Sequence, residues 1–267
     1  MSRRHFVDAV AVAMAVGTLA PVQAAAQSPA DAQAQPQQQQ DHQQRQQRDR
    51  QLQNQGEGRT YAPGPFDRVV VDGAGQIRLL QDDRDEVFVP GNARAQEAVD
   101  VRLDGRSLRI ELPGGWKFWK SGGGALVEVR LRHLSKLTIA GSNDVFAPGP
   151  FSGDQLSVSM AGMGQVRFDQ LKFGQLNVEI SGAGEGQLNG QVDRLRLNVS
   201  GKGKIAADQL RTGAADVSIS GVGNASLWAV NNLRVQISGA GHVDYWGDPA
   251  VSKSISGFGS VDPRGSR

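Results

Sequence analysis

The chain of 267 residues contains no cysteine, 6% aromatic residues and only four histidines. The absence of cysteine excludes disulfide bonds, thiolate metal sites and a lipid anchor attached through cysteine, and it fits an exported protein that needs no disulfides. The apolar run at residues 9–20 is too short for a membrane-spanning helix, and no later run approaches that length. The formal net charge of +2, with acidic and basic residues interspersed, argues against nucleic-acid binding.

Motifs for catalysis and cofactor binding are also missing from the sequence. It has no Gly-x-Ser-x-Gly elbow, no His-Glu-x-x-His pair and no phosphate loop with its lysine, so we predict no catalytic residue, no cofactor and no metal site. His133 and His242 have no second histidine at metal-ligand spacing, and we interpret both as surface or structural residues. Four carboxylates within residues 82–86 predict a solvated acidic turn, with weak cation binding as the alternative.

The first 57 residues predict an export signal followed by a polar linker. Arg3 and Arg4, the apolar stretch at 9–20 and the small residues before Ala26 predict a signal peptide over residues 1–26, cleaved at Ala26. Both the general secretory and the twin-arginine routes remain open, because Asp8 departs from the twin-arginine pattern. Residues 27–57 are about half glutamine and lack the apolar side chains needed for a core, so we predict a disordered linker there. The protein is then periplasmic or attached to the cell surface.

What the sequence does have is glycine, 34 residues in all, much of it in a repeated phrase. The phrase reads hydrophobic-Ser-Gly-x-Gly, with looser early copies, and its leading glycines stand at 141, 162, 182, 201, 221, 239 and 257, at intervals of 18 to 21 residues. Within each copy, apolar or small residues alternate strictly with polar ones, as they do along residues 195–205, which indicates β-strands. We therefore predict an all-β, single-domain, right-handed parallel β-solenoid, or β-helix-like stack, whose coils are 18–21 residues long.

Both glycines of each phrase fall on the inward phase of the strand. Glycine at such a position leaves room for a tight bend or for the close approach of another backbone. Each unit should then read strand, bend, short strand and loop, with loops at residues 188–191 and 246–249. The structural bends are assigned to Gly162, Gly164, Gly182, Gly184, Gly201, Gly203, Gly221, Gly223, Gly239, Gly241, Gly257 and Gly259.

The serine of each phrase should point outward beside the bend. The five serines are Ser181, Ser200, Ser220, Ser238 and Ser256. We interpret them as a ladder that satisfies backbone groups, since no general base recurs beside them.

The folded domain is predicted to span residues 58–267, with a less regular part at 58–136 and the glycine repeats at 137–262. The first part predicts strands within 66–79 and at 87–89, and a hairpin that turns at Asp104–Gly105. A solenoid needs its unpaired strand edges covered, and this irregular part is the natural candidate for a cap.

An aromatic-rich segment at residues 114–124 is the feature most suggestive of binding. Two tryptophans and a phenylalanine are flanked there by lysines and by glycines. Such side chains could contact a sugar, a membrane surface or a partner protein, or they could fold back and plug the end of the core. The candidate binding residues are Trp116, Lys117, Phe118, Trp119 and Lys120.

Several motifs, taken in order, resemble a known bacterial family. They are the opening at Phe66–Val71, Ser-Leu-Arg-Ile at 107–110, the serial Ser-Gly-x-Gly phrases and the segment 243–249. Together they resemble the "putative auto-transporter adhesin" head domain, also called the GIN domain or DUF2807, over roughly residues 62–262. The resemblance implies an exported domain with a β-solenoid-like fold and an adhesin label.

Two functions are compatible with these observations. The first is a non-enzymatic cell-envelope protein whose solenoid scaffold serves adhesion or binds an envelope component, protein or glycan, as a monomer or an oligomer. The alternative is a polysaccharide-active enzyme on a β-helix. An enzyme would need a groove across several coils, lined by converging Asp, Glu, Lys or Arg side chains.

Overall fold

Strands account for 75% of the residues that the computed structural model describes, 58–113 and 126–267, and helix for 3%. The predicted signal peptide, the glutamine-rich linker and the five candidate binding residues lie outside this described part. Within it, no helix has the length and apolarity needed to span a bilayer. The elements in chain order are β1 Gly58–Tyr61, β2 Arg68–Asp72, β3 Ala74–Gln81, β4 Glu86–Pro90, α1 Ala93–Glu97, β5 Asp100–Asp104, β6 Ser107–Glu111, β7 Leu126–Leu131, β8 Lys136–Ile139, β9 Ser142–Met160, β10 Met163–Ile180, β11 Ala183–Val199, β12 Lys202–Ile219, β13 Val222–Ile237, β14 Ala240–Trp246, β15 Ala250–Ile255 and β16 Phe258–Pro263.

The strands form a β-solenoid of about 6 turns with coils about 20 residues apart, which confirms the predicted architecture. Long strands β9 to β13 stack in parallel and in register, each on the next. Each unit of the stack has one strand segment before its glycine corner and one after it. The stacked segments before the corners form a sheet that we call face A, and those after the corners form a sheet that we call face B. In the last unit β15 lies on face A and β16 on face B, paired with β13 and β14 respectively.

The leading glycines form a column in which consecutive backbones nearly touch. A Cβ placed on Gly182 would lie 2.0 Å from the carbonyl oxygen of Gly162, and a Cβ on Gly201 would lie 2.0 Å from that of Gly182. The same contact begins at Gly141, whose Cβ would meet the carbonyl oxygen of Gly73 at 2.1 Å. Close backbone approach along the stack, rather than a left-handed conformation, therefore requires glycine through most of this column.

Backbone hydrogen bonds hold each corner to the one before it. The amides of Ser181 and Gly182 both donate to the carbonyl of Met160, at 2.9 and 3.3 Å. The Ser181 hydroxyl lies 3.4 Å from the same oxygen, and the Ser200 hydroxyl repeats this contact with Ile180. Because these hydroxyl contacts are long, the amides and not the side chains make the main link between corners.

The predicted loop at 188–191 is instead part of a continuous strand. β11 runs unbroken through these residues, and its register shifts against both neighbours, against β12 between Gln187 and Asn189 and against β10 between Leu188 and Gly190. Gly190 takes a left-handed φ of 128° there, and its backbone packs against Leu171 of the preceding coil. A bulge turns the chain while most ladder hydrogen bonds are kept, so no loop is needed. The second predicted loop is correct, because β14 ends at Trp246 and Gly247 follows with a φ of 100°.

The irregular first part builds one end of the stack. The coil formed by β6 and β7 lies outside the coil formed by β2 and β3, although it comes later in the chain. Three strands then cover its outer edge in antiparallel pairings, β5 on β6, β4 on β7 and β1 on β4. The β5–β6 pair is the hairpin expected at Asp104–Gly105. Antiparallel strands thus end the parallel ladder at this side.

The core consists of aliphatic rows that run along the stack axis. One face A row has buried side chains in successive coils: Leu108, Val69, Leu137, Val158, Val178, Leu197, Val217 and Val235. Strictly alternating inward positions and in-register stacking place like residues one above another. The polar partners of the alternation therefore form regular columns on the outer surface.

Candidate functional site

The described strands on either side of the aromatic-rich segment meet at the corner of the end coil. In the next coil, residues 73–75 join Asp72 to Gln76 across this corner. In the end coil Glu111 pairs with Asp72 and Leu126 with Gln76, so residues 112–125 span the same corner. The described fold therefore fixes both ends of the segment on adjacent, rigid strands.

A shallow groove of about 290 Å³ crosses face A of β11, β12 and β13. Apart from the buried Val217 it is lined by Arg196, Asn198, Asp216, Ser218, Arg234 and Gln236. Asp216 accepts a hydrogen bond from Nη1 of Arg234 at 3.2 Å. Paired-carboxylate glycoside hydrolysis needs two carboxyl groups about 5–9.5 Å apart. The lining offers one, so the groove has the predicted position across coils but lacks the acid pair.

The far end of the stack finishes in a strand edge that no described residue covers. Within the described part of the chain β15 pairs only with β13, and β16 pairs only with β14. Val251 and Ile255 of β15 remain 39% and 37% exposed, and Phe258 of β16 is 87% exposed. This end, which we call the open end, contrasts with the opposite end and its antiparallel cover.

His242, interpreted from the sequence as a surface or structural residue, is part of a polar cluster beside the open end. Its Nε2 lies 3.0 Å from Oδ1 of Asp244, and its Nδ1 lies 2.5 Å from Oγ of Ser260 and 3.4 Å from Oδ2 of Asp262. Arg264 donates from Nε to the same Asp244 oxygen at 2.6 Å, and this hydrogen bond raises the pKa of the guanidinium. The cluster joins β14 to β16. His133, by contrast, is exposed away from this cluster.

Three members of the cluster have the chemistry of metal ligands. One ligand atom each from His242, Asp244 and Asp262 lies within 4.8 Å of the others, a donor set that suits Zn²⁺. However, the two imidazole nitrogens face different carboxylates, and Arg264 already holds Asp244. A cation would have to displace these contacts, so the arrangement acts first as a link between strands.

Sequence reasoning missed this cluster although a signal was present. His242 and Asp244 are two residues apart and so share one side of a strand, and Asp262 follows Asp244 at the repeat interval. Searching for ligands one coil apart, instead of nearby in the chain, would have identified the group.

The acidic turn at 82–86 is held by arginines rather than merely solvated. Oδ2 of Asp82 accepts from Arg130 at 2.9 Å, and Oδ1 of Asp85 accepts from the backbone amide of Arg132 at 3.1 Å. The backbone amide of Asp83 and the Arg130 side chain lower the pKa of Asp82. These contacts compensate the charges that a weakly bound cation would use.

Comparison with known proteins relates this geometry to one family. Residues 65–249 match the family model described as "Putative auto-transporter adhesin, head GIN domain". No curated protein matches the chain.

Solved structures with the same fold come from Bacteroides and Parabacteroides species. A "putative adhesin" from Bacteroides fragilis superposes with a TM-score of 0.69 at 22% identity, covering 79% of this chain and 96% of that one. A second "putative adhesin", from Parabacteroides distasonis, gives 0.61 at 19% identity, over 77% and 95% of the two chains. A "putative lipid binding protein" from the same organism gives 0.58 at 23% identity, over 78% and 96%. At these identities the likeness shows the fold.

Proposed function

We propose that this chain, which belongs to the auto-transporter adhesin head GIN domain family, is an exported, non-enzymatic envelope protein that binds a protein or glycan. The adhesin descriptions of the family and of its structural neighbours support an adhesin-like role. Strands β6 and β7 hold both ends of the aromatic-rich segment at the corner of the end coil, and this placement of its ends carries the proposal.

A segment with both ends held in this way has a rigid base for binding residues. The strands at its two ends pair in parallel with β2 and β3, and their inward side chains are buried. Tryptophan and phenylalanine contribute large contact areas with few rotatable bonds, and flanking lysines add attraction to acidic groups. We assign the contact to Trp116, Lys117, Phe118, Trp119 and Lys120. The predicted signal peptide at residues 1–26 supports export to the periplasm or cell surface.

Fluorescence quenching tests whether the segment is available for contact. Replacing Trp228 and Trp246 by phenylalanine leaves Trp116 and Trp119 as the only tryptophans of the chain. We expect acrylamide to quench their emission nearly as strongly as that of a tryptophan peptide. Full shielding of both side chains would instead support the plug and would contradict a contact role.

Binding to native envelopes tests the function itself. The double variant Trp116→Ser, Trp119→Ser should lose most of its binding to purified envelopes of the native host. Val222→Ser is the matched control, since it removes an exposed apolar side chain from β13, several coils from the segment and outside β15 and β16. Equal binding by the wild type and the double variant would refute the assignment.

The enzyme alternative has its own test in the face A groove. Arg196, Asp216 and Arg234 are its charged side chains, and they span three coils. A glycan-degradation screen with wild-type protein should give no product. Activity that Asp216→Asn abolishes would favour a polysaccharide-active enzyme over the proposed function.

A further inference from the structure

We propose that the open end accepts a β-strand from a partner protein, and that this strand places an acidic side chain opposite Lys253, between two apolar ones. The inference shares the binding function proposed above, but it uses the end of the stack away from the aromatic-rich segment. Its failure would therefore leave that assignment untouched.

The first observation is the free backbone edge of β15. Strand β15 pairs with β13 over residues 250–255, and no described strand pairs with its other side. Alternate residues of an edge strand direct their N–H and C=O groups outward, and an added strand can satisfy them. The opposite end has antiparallel strands at the equivalent place.

The second observation is the residue that ends the aliphatic row of face A. Every coil of that row contributes a buried Val or Leu as far as Val235, and Val235 pairs with Lys253 of β15. On either side of Lys253 the inward positions return to apolar residues, Val251 opposite Leu233 and Ile255 opposite Ile237. An inward position at the edge thus carries a charge between two half-exposed apolar side chains.

The lysine disfavours pairing between two copies of this chain. In the antiparallel self-pairing of β15 that aligns all three inward positions, Val251 faces Ile255 and Lys253 faces Lys253 of the other copy. Like charges directly opposite one another destabilise a strand pair. A shift by two residues sets Lys253 against an apolar side chain instead and shortens the pairing. A shift by one residue would turn every inward side chain outward. Inward-pointing lysine is a known guard against such edge association.

The same lysine favours an acidic partner strand. Lys253 forms no ion pair within residues 58–113 and 126–267, and the carboxylates of the last coil at Asp244 and Asp262 are engaged by Arg264 and His242. A strand with the pattern apolar-x-acidic-x-apolar would cover Val251 and Ile255 and pair its carboxylate with the ammonium group. The opposite-charge pair then selects this partner over a second copy.

Two labelled peptides test the proposal by fluorescence anisotropy. Both peptides have seven residues, with valine at positions two and six and threonine at positions one, three, five and seven. At position four one peptide has glutamate and the other has lysine. The pattern is symmetric, so either strand direction presents it. We expect the glutamate peptide to bind the wild-type protein with a Kd about tenfold lower than the lysine peptide.

Charge reversal provides the matched variants. Lys253→Glu should reverse the preference of the two peptides, whereas Lys204→Glu, the same change on the exposed side of β12, should leave it intact. Lys253→Val should make the protein self-associate in sedimentation experiments, because the guard is removed. Absence of binding by both peptides, equal binding of the two, or a wild-type dimer that buries β15 would each overturn the proposal.

Discussion

At the residue scale, the two glycines of a corner are under different constraints. A Cβ on the leading Gly221 would lie 2.0 Å from the carbonyl oxygen of Gly201, which is backbone and cannot move aside. A Cβ on the second glycine, Gly223, would lie 3.2 Å from Cγ1 of Val199, a side-chain atom. One natural coil already carries a larger residue at the second position, Asn143, whose amide donates to the carbonyl of Gly73. At this corner the first position is therefore the stricter one, whereas a Cβ on the second glycines Gly164 and Gly259 would also meet backbone carbonyl oxygens, at 1.9 and 2.1 Å.

Paired substitutions at one corner test this difference. Gly221→Ala should destabilise the protein by about 3 kcal/mol or more, because the stacked backbones must separate. Gly223→Ala should cost about 1 kcal/mol, since Val199 can adjust. Urea unfolding measures both. Equal losses would show that the second glycine is as constrained as the first.

A second residue-scale prediction concerns Asp67 and acid stability. Burial opposes ionisation of this carboxyl group, but the hydrogen bond and the positive charge of Arg106, at 3.1 Å, outweigh it and lower its pKa below 3.8. A carboxylate whose pKa is lowered by folding stabilises the fold fully at a pH above the pKa of the unfolded state. This contribution is lost as the pH falls through the pKa of the folded state.

Thermal unfolding of Asp67→Asn checks the sign of this effect. The variant should melt a few degrees below wild type at pH 7, and the difference should shrink as the pH falls well below 3.8. Asp248→Asn, at an exposed loop position, is the control and should change little at either pH. A difference that grows in acid would contradict the assignment.

At the element scale, the His242 cluster links the last strand to the stack. Among the described strands β16 pairs with one, β14, and polar contacts between the two strands supplement their ladder. Arg264 donates a hydrogen bond to Oδ1 of Asp244, and this guanidinium would have to be displaced before a cation could bind that oxygen. The balance between ion pair and metal site therefore depends on one guanidinium group.

Removing that guanidinium should create a metal site. Arg264→Ala should bind Zn²⁺ about tenfold more tightly than wild type, because a competing positive charge is gone. The double variant Arg264→Ala, His242→Ala should lose this gain. Isothermal titration calorimetry measures all three proteins. Tight Zn²⁺ binding by the wild type would mean that Arg264 does not compete.

At the scale of the whole molecule, the stack is nearly one-dimensional, since the long strands β9 to β13 contact mainly the coils on either side. Local unfolding should therefore begin at an end of the stack, where a coil contacts only one other coil, and proceed inward. Hydrogen exchange should be slowest in β10 to β12 and fastest in β15 and β16 among the strands of the repeats. Uniform protection along the stack would indicate that it opens as a single unit.

The architecture was predictable because its signals are local. The strict alternation around residues 195–205 and the glycine phrase itself are visible within one coil, and the phrase then recurs at intervals of 18 to 21 residues. The hairpin at Asp104–Gly105 is likewise indicated by its own turn residues. The order of the first coils was not predictable, because the placement of β6 and β7 outside β2 and β3 depends on pairing between distant segments. The contacts of His242 and the inward position of Lys253 likewise arise from register between coils.

The glycine column also limits how such a chain can change in length. Each leading glycine fills the space beside the carbonyl of the glycine one coil earlier, so deleting part of a coil would set a Cβ against that oxygen. Whole coils can be duplicated or lost, and each would change the stack by about 4.8 Å. Lineages of this fold should therefore differ mainly by complete repeats, with smaller length changes taken up by register shifts away from the corners, as in the intervals of 18 to 21 residues here, or by segments that leave the stack.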